Sequence, residues 1–159
     1  MEQENVGLYL GMDISEKYTM ISIYQQHMKE PQTISTIMGS ESYQIPTALA
    51  KKKGVGQWFF GREAKVRVKS GEALGVEDLL DKARTGEEVF LEHEKYAASD
   101  LLAIFLKRVL SLAGSAQAMM PLAKLVICLD KVSVEYMELF SAIIVKLGIE
   151  TDKLLLIDR

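Results

Sequence analysis

The feature that most constrains the fold is a strand–helix–strand order near the end of the sequence. Residues 123–130 (AKLVICLD) form a continuous apolar run, which is typical of a strand buried on both faces of a sheet. Ser133 is a good helix N-cap, and the helix that begins there is predicted to end at Gly148. Residues 153–158 (KLLLID) then begin one more strand. This order predicts an α/β domain in which helices cover a sheet.

The first part of the sequence predicts a meander of three strands. The apolar pattern of residues 6–12 suits a mostly buried strand. Residues 19–24 are rich in β-branched and aromatic side chains and are predicted to form its hairpin partner. Residues 32–38 are predicted to form the third strand. Asp13 is expected in the short polar turn between the first two strands.

Residues 45–93 are predicted to form a small inserted subdomain. Three consecutive lysines at 51–53 precede two glycines and predict a solvated hairpin turn, and the following QWFFG predicts a strand. Residues 62–69 are expected to form a short helix. Residues 71–86 are the least regular part, with a helical turn over VEDLLDKAR, and residues 87–93 (EEVFLEH) are predicted to be a strand.

Two long helices are predicted from apolar residues at helical spacing. The first covers residues 97–113, and the second follows Ser133. The first is expected to bury Leu101, Leu102, Phe105, Leu106, Val109 and Leu110, and the second Met137, Phe140, Ile143, Ile144 and Leu147. Three meandering strands, an insertion and then an αβαβ order predict a ribonuclease-H-like α/β fold with a mixed sheet.

Composition narrows the class of function. The chain has 159 residues, enough for one domain, and a net charge of −3, which argues against nucleic acid as a partner. No apolar run approaches the about 18 residues that a membrane-spanning helix needs, so no membrane contact is predicted. The polar, acidic start MEQENVG does not resemble a secretory signal, so a cytoplasmic protein is expected.

Four stretches carry a resemblance to a known superfamily: YLGMDISEKYTMISIY, IPTALAKKKGVGQWFFGREAK, DLLAIFLKRVLSLA and AKLVICLDKVSVEYMELFSAIIVKLGIETDKLLLID. In order and spacing they resemble the N-terminal lobe of the actin-like ATPases, most closely the heat-shock chaperone ATPases of the DnaK type. The first resembles the phosphate loop that reads Asp-Leu-Gly-Thr-Thr-Tyr-Ser in that family. The resemblance implies one actin-like lobe over residues 1–159.

The resemblance implies a nucleotide site at the first hairpin. Asp13 matches the aspartate that holds the water shell of Mg²⁺, and Tyr18 matches the family's tyrosine. Ser15 stands where the family has a glycine, and Glu16 and Lys17 stand at its two threonines. Glu16 would bring a negative charge beside a triphosphate, which Lys17 could partly offset.

Two more positions follow from the same resemblance. The family places a lysine near the γ-phosphate after its insertion, and Lys82 is the candidate here, with Arg84 in reserve. Asp158 falls near the family's Asn-Glu-Pro glutamate, which positions the attacking water. The alternatives are a solvated lysine and an ordinary carboxylate at the end of a strand.

The resemblance implies ATP and Mg²⁺ as ligands of a longer protein. In the family the second phosphate loop, the adenosine-binding segment and the second lobe all come later than the part matched here. The chain is therefore expected to be a fragment that is not catalytically competent alone, whereas the full-length protein could be an ATPase.

Two other functions stay open from the sequence. One is a degenerate relative that keeps the fold as a non-catalytic binding or scaffold module for a protein partner, which Ser15 and Glu16 favour. The other is a nuclease of the ribonuclease-H type, with Asp13 and Asp130 as metal ligands. For the third carboxylate that a nuclease needs, Asp100 lies too near the start of its helix.

Overall fold

The computed structural model of the protein describes residues 7–25, 28–35, 42–114 and 121–159. The strands within these ranges are β1 (Leu8–Ile14), β2 (Tyr18–Tyr24), β3 (Gln32–Thr33), β4 (Ile45–Pro46), β5 (Leu49–Lys52), β6 (Trp58–Phe60), β7 (Ala73–Val76), β8 (Glu88–Leu91), β9 (Glu94–Ala97), β10 (Leu122–Leu129) and β11 (Leu154–Asp158). The helices are α1 (Gly61–Lys69), α2 (Leu79–Arg84), α3 (Ala98–Leu110) and α4 (Val134–Lys146).

The main sheet is mixed, with the strand order β11-β10-β1-β2-β3 and with β4 pairing against β2. Strand β10 runs parallel to both β1 and β11, and it brings Cys128 opposite Asp13 and Ile157. The pairs β1–β2, β2–β3 and β2–β4 are antiparallel. The prediction of an α/β domain with a mixed sheet is therefore confirmed.

The hydrophobic core lies between one face of this sheet and the helices α2, α3 and α4. Strand β1 alternates strictly, because Leu8, Leu10, Met12 and Ile14 are buried while the residues between them are half-buried. These side chains share one cluster with the buried faces of the three helices, including Phe105 and Phe140, which are both 0% exposed. The six residues predicted for the buried stripe of α3 are all buried.

The second long helix corrects one predicted core residue. The Ser133 hydroxyl accepts a hydrogen bond from the Tyr136 amide (3.2 Å), which confirms the predicted N-cap. Met137, however, is 53% exposed, and Leu139 is buried in its place. Because Leu139, Phe140, Ile143 and Ile144 form the buried stripe, the helix is turned so that Met137 faces away from the core.

Residues 45–93 hold the smaller elements. Strand β5 pairs with β6 and β7 in a three-stranded antiparallel sheet, and α1 packs beside it. Strand β7 lies in the stretch that the sequence predicted to be irregular, so that prediction is wrong there. Residues 87–93 are also not one strand, since the β8–β9 hairpin turns at Glu92, which has a φ of +57°.

Lys51 corrects the prediction of a solvated lysine turn. It lies in β5, only 4% exposed, and its ammonium binds the Glu92 carboxylate at 2.9 Å. Glu92 also accepts hydrogen bonds from the Gly54 amide at 3.1 and 3.2 Å. An ion pair between a buried lysine and a partly exposed glutamate therefore fastens the β8–β9 hairpin to the three-stranded sheet.

Two predicted strand boundaries shift. Strand β1 runs to Ile14, so Asp13 lies inside the strand, opposite Met20, and only the residues after Ile14 form the turn. Strand β3 covers Gln32–Thr33 of the strand predicted over 32–38, and residues 36–38 lie outside the described part of the chain. None of the helices in the described ranges is long and apolar enough to cross a membrane.

Candidate functional site

The turn between β1 and β2 is closed by Ser15. Its amide donates to the Tyr18 carbonyl at 2.9 Å, and its hydroxyl donates to the same carbonyl at 3.0 Å. The Tyr18 amide in turn donates to the Ser15 hydroxyl at 3.2 Å. Ser15 keeps a negative φ, so the turn forms without the left-handed conformation that would favour glycine. The Ser15 hydroxyl is thus engaged within the hairpin itself.

The side chain of Glu16 extends from the hairpin and caps helix α2 of the insertion. Its carboxylate accepts hydrogen bonds from the amides of Leu80 (3.1 Å) and Asp81 (2.7 Å), in the first turn of α2. Asp78 precedes this helix with a φ of +52° and makes no side-chain cap of its own. The Glu16 carboxylate therefore satisfies amides that the helix cannot pair internally.

Burial raises the pKa of Glu16 above its ordinary value of 4.5. The hydrogen bonds from Asp81 and Leu80 oppose this effect, because they favour the charged carboxylate, and the nearby carboxylates of Asp78 and Asp81 add to it. The net direction shows that desolvation and the two neighbouring carboxylates together outweigh the two hydrogen bonds.

The other hairpin residues contact the start of the insertion. The Lys17 carbonyl accepts a hydrogen bond from the Thr47 amide at 3.0 Å, and the Lys17 ammonium lies 5.6 Å from the centre of the Tyr18 ring. Behind them the Thr19 and Thr47 hydroxyls form a buried hydrogen bond of 2.8 Å. The hairpin is therefore attached to the segment between β4 and β5 as well as to α2.

Asp13 is bound by the last residue of the sequence. The Arg159 guanidinium donates to the carboxylates of Asp13 and Asp130 and to the Ile14 carbonyl. The Arg159 amide donates to the Leu129 carbonyl at 2.7 Å, which holds the residue beside β10. One guanidinium thus lies between the carboxylates near the ends of two parallel strands, and the hydrogen bond to Asp13 raises the pKa of Arg159.

Asp158, Lys82 and Arg84 are not part of the cluster of Asp13, Asp130 and Arg159. The Asp158 carboxylate accepts a hydrogen bond of 2.6 Å from the Val132 amide and so fixes the turn between β10 and α4. Arg84 donates to Asp81 at 3.2 Å and lies 5.9 Å from the centre of the Tyr136 ring. Lys82 is half-buried on α2, and its ammonium makes no ion pair within the described residues.

The nuclease arrangement lacks its third ligand. Arg159 forms ion pairs with both Asp13 and Asp130, whereas Asp100 on α3 pairs with Lys146 of α4. Among the described residues no three His, Cys, Asp or Glu side chains converge as metal ligands would. Cys128 lies beside Asp13, and burial together with that carboxylate raises the pKa of its thiol.

Two cavities flank the hairpin. One of about 570 Å³ opens on the Glu16 side, between the hairpin, α1 and β7. The other, of about 660 Å³, opens on the Tyr18 side. The first is lined by Thr47, Lys65, Lys69 and Asp78 among others, and the second by Met20, Tyr43, Pro46 and Arg62. Both volumes fall in the range of small-molecule sites.

The sequence predicted a site at the hairpin, but it did not predict the residues that the hairpin side chains bind in the fold. Arg159 carried a detectable signal, because it follows β11 at the spacing that continues the alternation of Leu155 and Ile157. The binding of Glu16 to α2 spans 64 and 65 positions and has no local signal.

No curated protein matches the chain. A family match covers residues 30–159, that is, the chain from just before β3 onwards, and leaves out the β1–β2 hairpin. The matched family is described as a family of unknown function (DUF5716), C-terminal, and because the match spans most of the sequence the chain belongs to this family.

Proposed function

We propose that the chain is a ribonuclease-H-like lobe of the actin-like ATPase type whose first phosphate hairpin serves as an internal connector. In this proposal the lobe is a non-catalytic binding or scaffold module. The order of the main-sheet strands, the position of Asp13 on β1 and the insertion at residues 45–93 support the fold assignment.

The observation that carries the proposal is the bonding of Glu16. In a phosphate hairpin, backbone amides and a helix N-terminus attract the negative phosphate groups. Here the Glu16 carboxylate of the chain itself accepts hydrogen bonds from the amides of Leu80 and Asp81. An anionic ligand at the same place would meet a carboxylate rather than free donors, which costs free energy.

Asp13 gives a second, independent support. A carboxylate that holds the water shell of Mg²⁺ accepts hydrogen bonds from those waters, but Arg159 already donates to Asp13 and to Asp130. The guanidinium already neutralises part of the charge that would attract the cation. Asp13 and Glu16 in this arrangement do not fit Mg-ATP, so no catalytic step is assigned to them.

Calorimetric titration of the protein with Mg-ATP tests the proposal. Wild type is expected to show no saturable heat, and so is the Asp13→Ala variant. The Glu16→Gln variant, which lacks the charge but keeps an oxygen acceptor, provides the matched comparison. Saturable binding by wild type that Asp13→Ala abolishes would overturn the connector role.

A nucleotide-binding lobe is the second candidate. The cavities on both sides of the hairpin favour it, since each has the volume of a small-ligand site and one is lined by Lys65 and Lys69. Lys17 would then supply a cation to the phosphates, and so would Lys82, whose ammonium forms no ion pair with the part of the chain that the structure describes. The same titration separates the two candidates, because only this one predicts heat that depends on Asp13.

A further inference from the structure

We propose that two copies of this chain associate through the face of the main sheet that carries no helix of the described residues. This helix-free face includes Gly11, Ser22, Lys124, Val126, Leu155 and Ile157, which alternate with the buried core residues along β1, β2, β10 and β11, and it also carries Tyr9, Met20, Tyr24 and Cys128. Register places Val126 between Gly11 and Leu155 at the centre of the face. The inference does not depend on whether the hairpin binds phosphate.

The helix-free face is apolar where a solvated face would be polar. Leu155 is 48% exposed and Ile157 41% exposed, and Val126 beside them is half-buried. Strands β1, β10 and β11 are parallel neighbours, and parallel strands are normally covered on both faces. Such a face gains free energy when apolar surface of another molecule covers it.

Gly11 indicates how close the covering molecule comes. It lies in the middle of β1, where glycine weakens a strand, and a Cβ added there would meet no atom of the described residues within 4 Å. The described part of the chain therefore gives no steric reason for glycine at this position. Glycine in a strand interior is typical of a site where another backbone approaches closely.

The charges on the helix-free face identify a second copy as the occupant. Lys124 lies at one end of β10 and forms no ion pair among the described residues. At the other end, the two carboxylates and one guanidinium of Asp13, Asp130 and Arg159 leave a net charge of −1. A two-fold axis perpendicular to the strands places Lys124 of each copy over the acidic end of the other. The face is thus complementary to itself.

Sedimentation equilibrium on the whole chain tests the association, over concentrations from about 1 μM to about 1 mM, where weak dimers populate. The apparent mass of the wild-type protein is expected to rise with concentration from 17.8 kDa towards about twice that mass. Leu155→Glu should stay monomeric, because it buries a charge in the interface. Val145→Glu is the matched control on the outer side of α4, 60% exposed in wild type, and it should still dimerise.

Charge-reversal variants distinguish a specific dimer from nonspecific association of apolar surfaces. Lys124→Glu is expected to weaken the dimer at least tenfold, and the double variant Lys124→Glu/Asp130→Lys should recover it. Cys128, half-exposed beside Ile157, should also be alkylated more slowly as the wild-type concentration rises, but not in folded Leu155→Glu. A wild type that is monomeric throughout, equal dissociation by Leu155→Glu and Val145→Glu, or no recovery in the double variant would each overturn the proposal.

Discussion

The Glu16 carboxylate accepts a 2.7 Å hydrogen bond from the amide of Asp81, 65 positions away in the chain. It joins the first hairpin of the main sheet to the first turn of α2. Because α2 is only six residues long and Asp78 does not cap it, the cap comes from a distant part of the sequence.

Replacing Glu16 by alanine is expected to destabilise the protein by about 1 kcal/mol, the usual cost of losing a helix N-cap. The neighbouring Lys17→Ala is the matched control and should change the free energy of unfolding by less than about 0.5 kcal/mol, as most surface substitutions do. Urea denaturation of both variants checks this. Equal effects of the two substitutions would show that Glu16 does not act as a cap.

The raised pKa of Glu16 predicts a pH dependence of stability. The folded state holds the proton more tightly than the unfolded state, so the stability from this group is full below its ordinary value of 4.5. It declines as the pH rises from 4.5 through the raised folded pKa. Wild type should therefore lose stability relative to Glu16→Gln over this window. Thermal melts of both proteins from acidic to neutral pH check the sign, and a difference that is independent of pH would contradict it.

Asp13 and Arg159 are expected to be coupled in stability. Both side chains are 36% exposed, so solvent screens the pair, and a double-mutant cycle with Asp13→Asn and Arg159→Gln should give about 0.5 kcal/mol of coupling. The corresponding cycle with Asp130→Asn is the comparison, and it should give less because Asp130 is 80% exposed. Urea denaturation at low and high salt measures both. Coupling that is absent at low salt would contradict the contact.

The Lys51–Glu92 pair predicts a pH dependence of the opposite sign. The hydrogen bond from Lys51 lowers the pKa of Glu92, and the hydrogen bond from the Gly54 amide lowers it further. The pair therefore stabilises the fold at pH values above the ordinary glutamate pKa of 4.5. That stability is lost as the pH falls through the folded pKa of Glu92. Lys51→Met should remove most of this acid sensitivity, whereas Lys52→Met on the exposed side of β5 should retain it. Hydrogen exchange of the Gly54 amide should also become faster in Lys51→Met alone.

The sequence predicted the elements whose own residues determine them. The position of strand β10, the cap at Ser133 and the buried stripe of α3 follow from local apolar spacing and capping chemistry, and the structure confirms them. The prediction that β10 is buried on both faces is wrong, because only Leu125, Ile127 and Leu129 on one face are buried. The prediction that Met137 is buried was wrong because its position fits the helical spacing as well as that of Leu139 does. Only packing against the sheet decides between the two rotations of the helix.

The partners at the candidate site depend on long-range contacts. Lys51 is buried and its ammonium binds Glu92, 41 positions later, and a run of three lysines gives no sign of that contact. The Asp13–Arg159 contact spans 146 positions. Sequence patterns therefore located the hairpin, whereas only the folded arrangement gives Glu16 and Asp13 their internal partners.

The most direct measurement of the connector role is an amide NMR titration of the protein with Mg-ATP. It follows the hairpin residues 15–18 together with Leu80 and Asp81. Because the Ser15 and Glu16 side chains and the α2 amides are already bonded within the chain, these signals are expected to stay in place up to saturating nucleotide. Saturable shifts of the hairpin amides together with those of Leu80 and Asp81 would contradict the connector role and establish a nucleotide site.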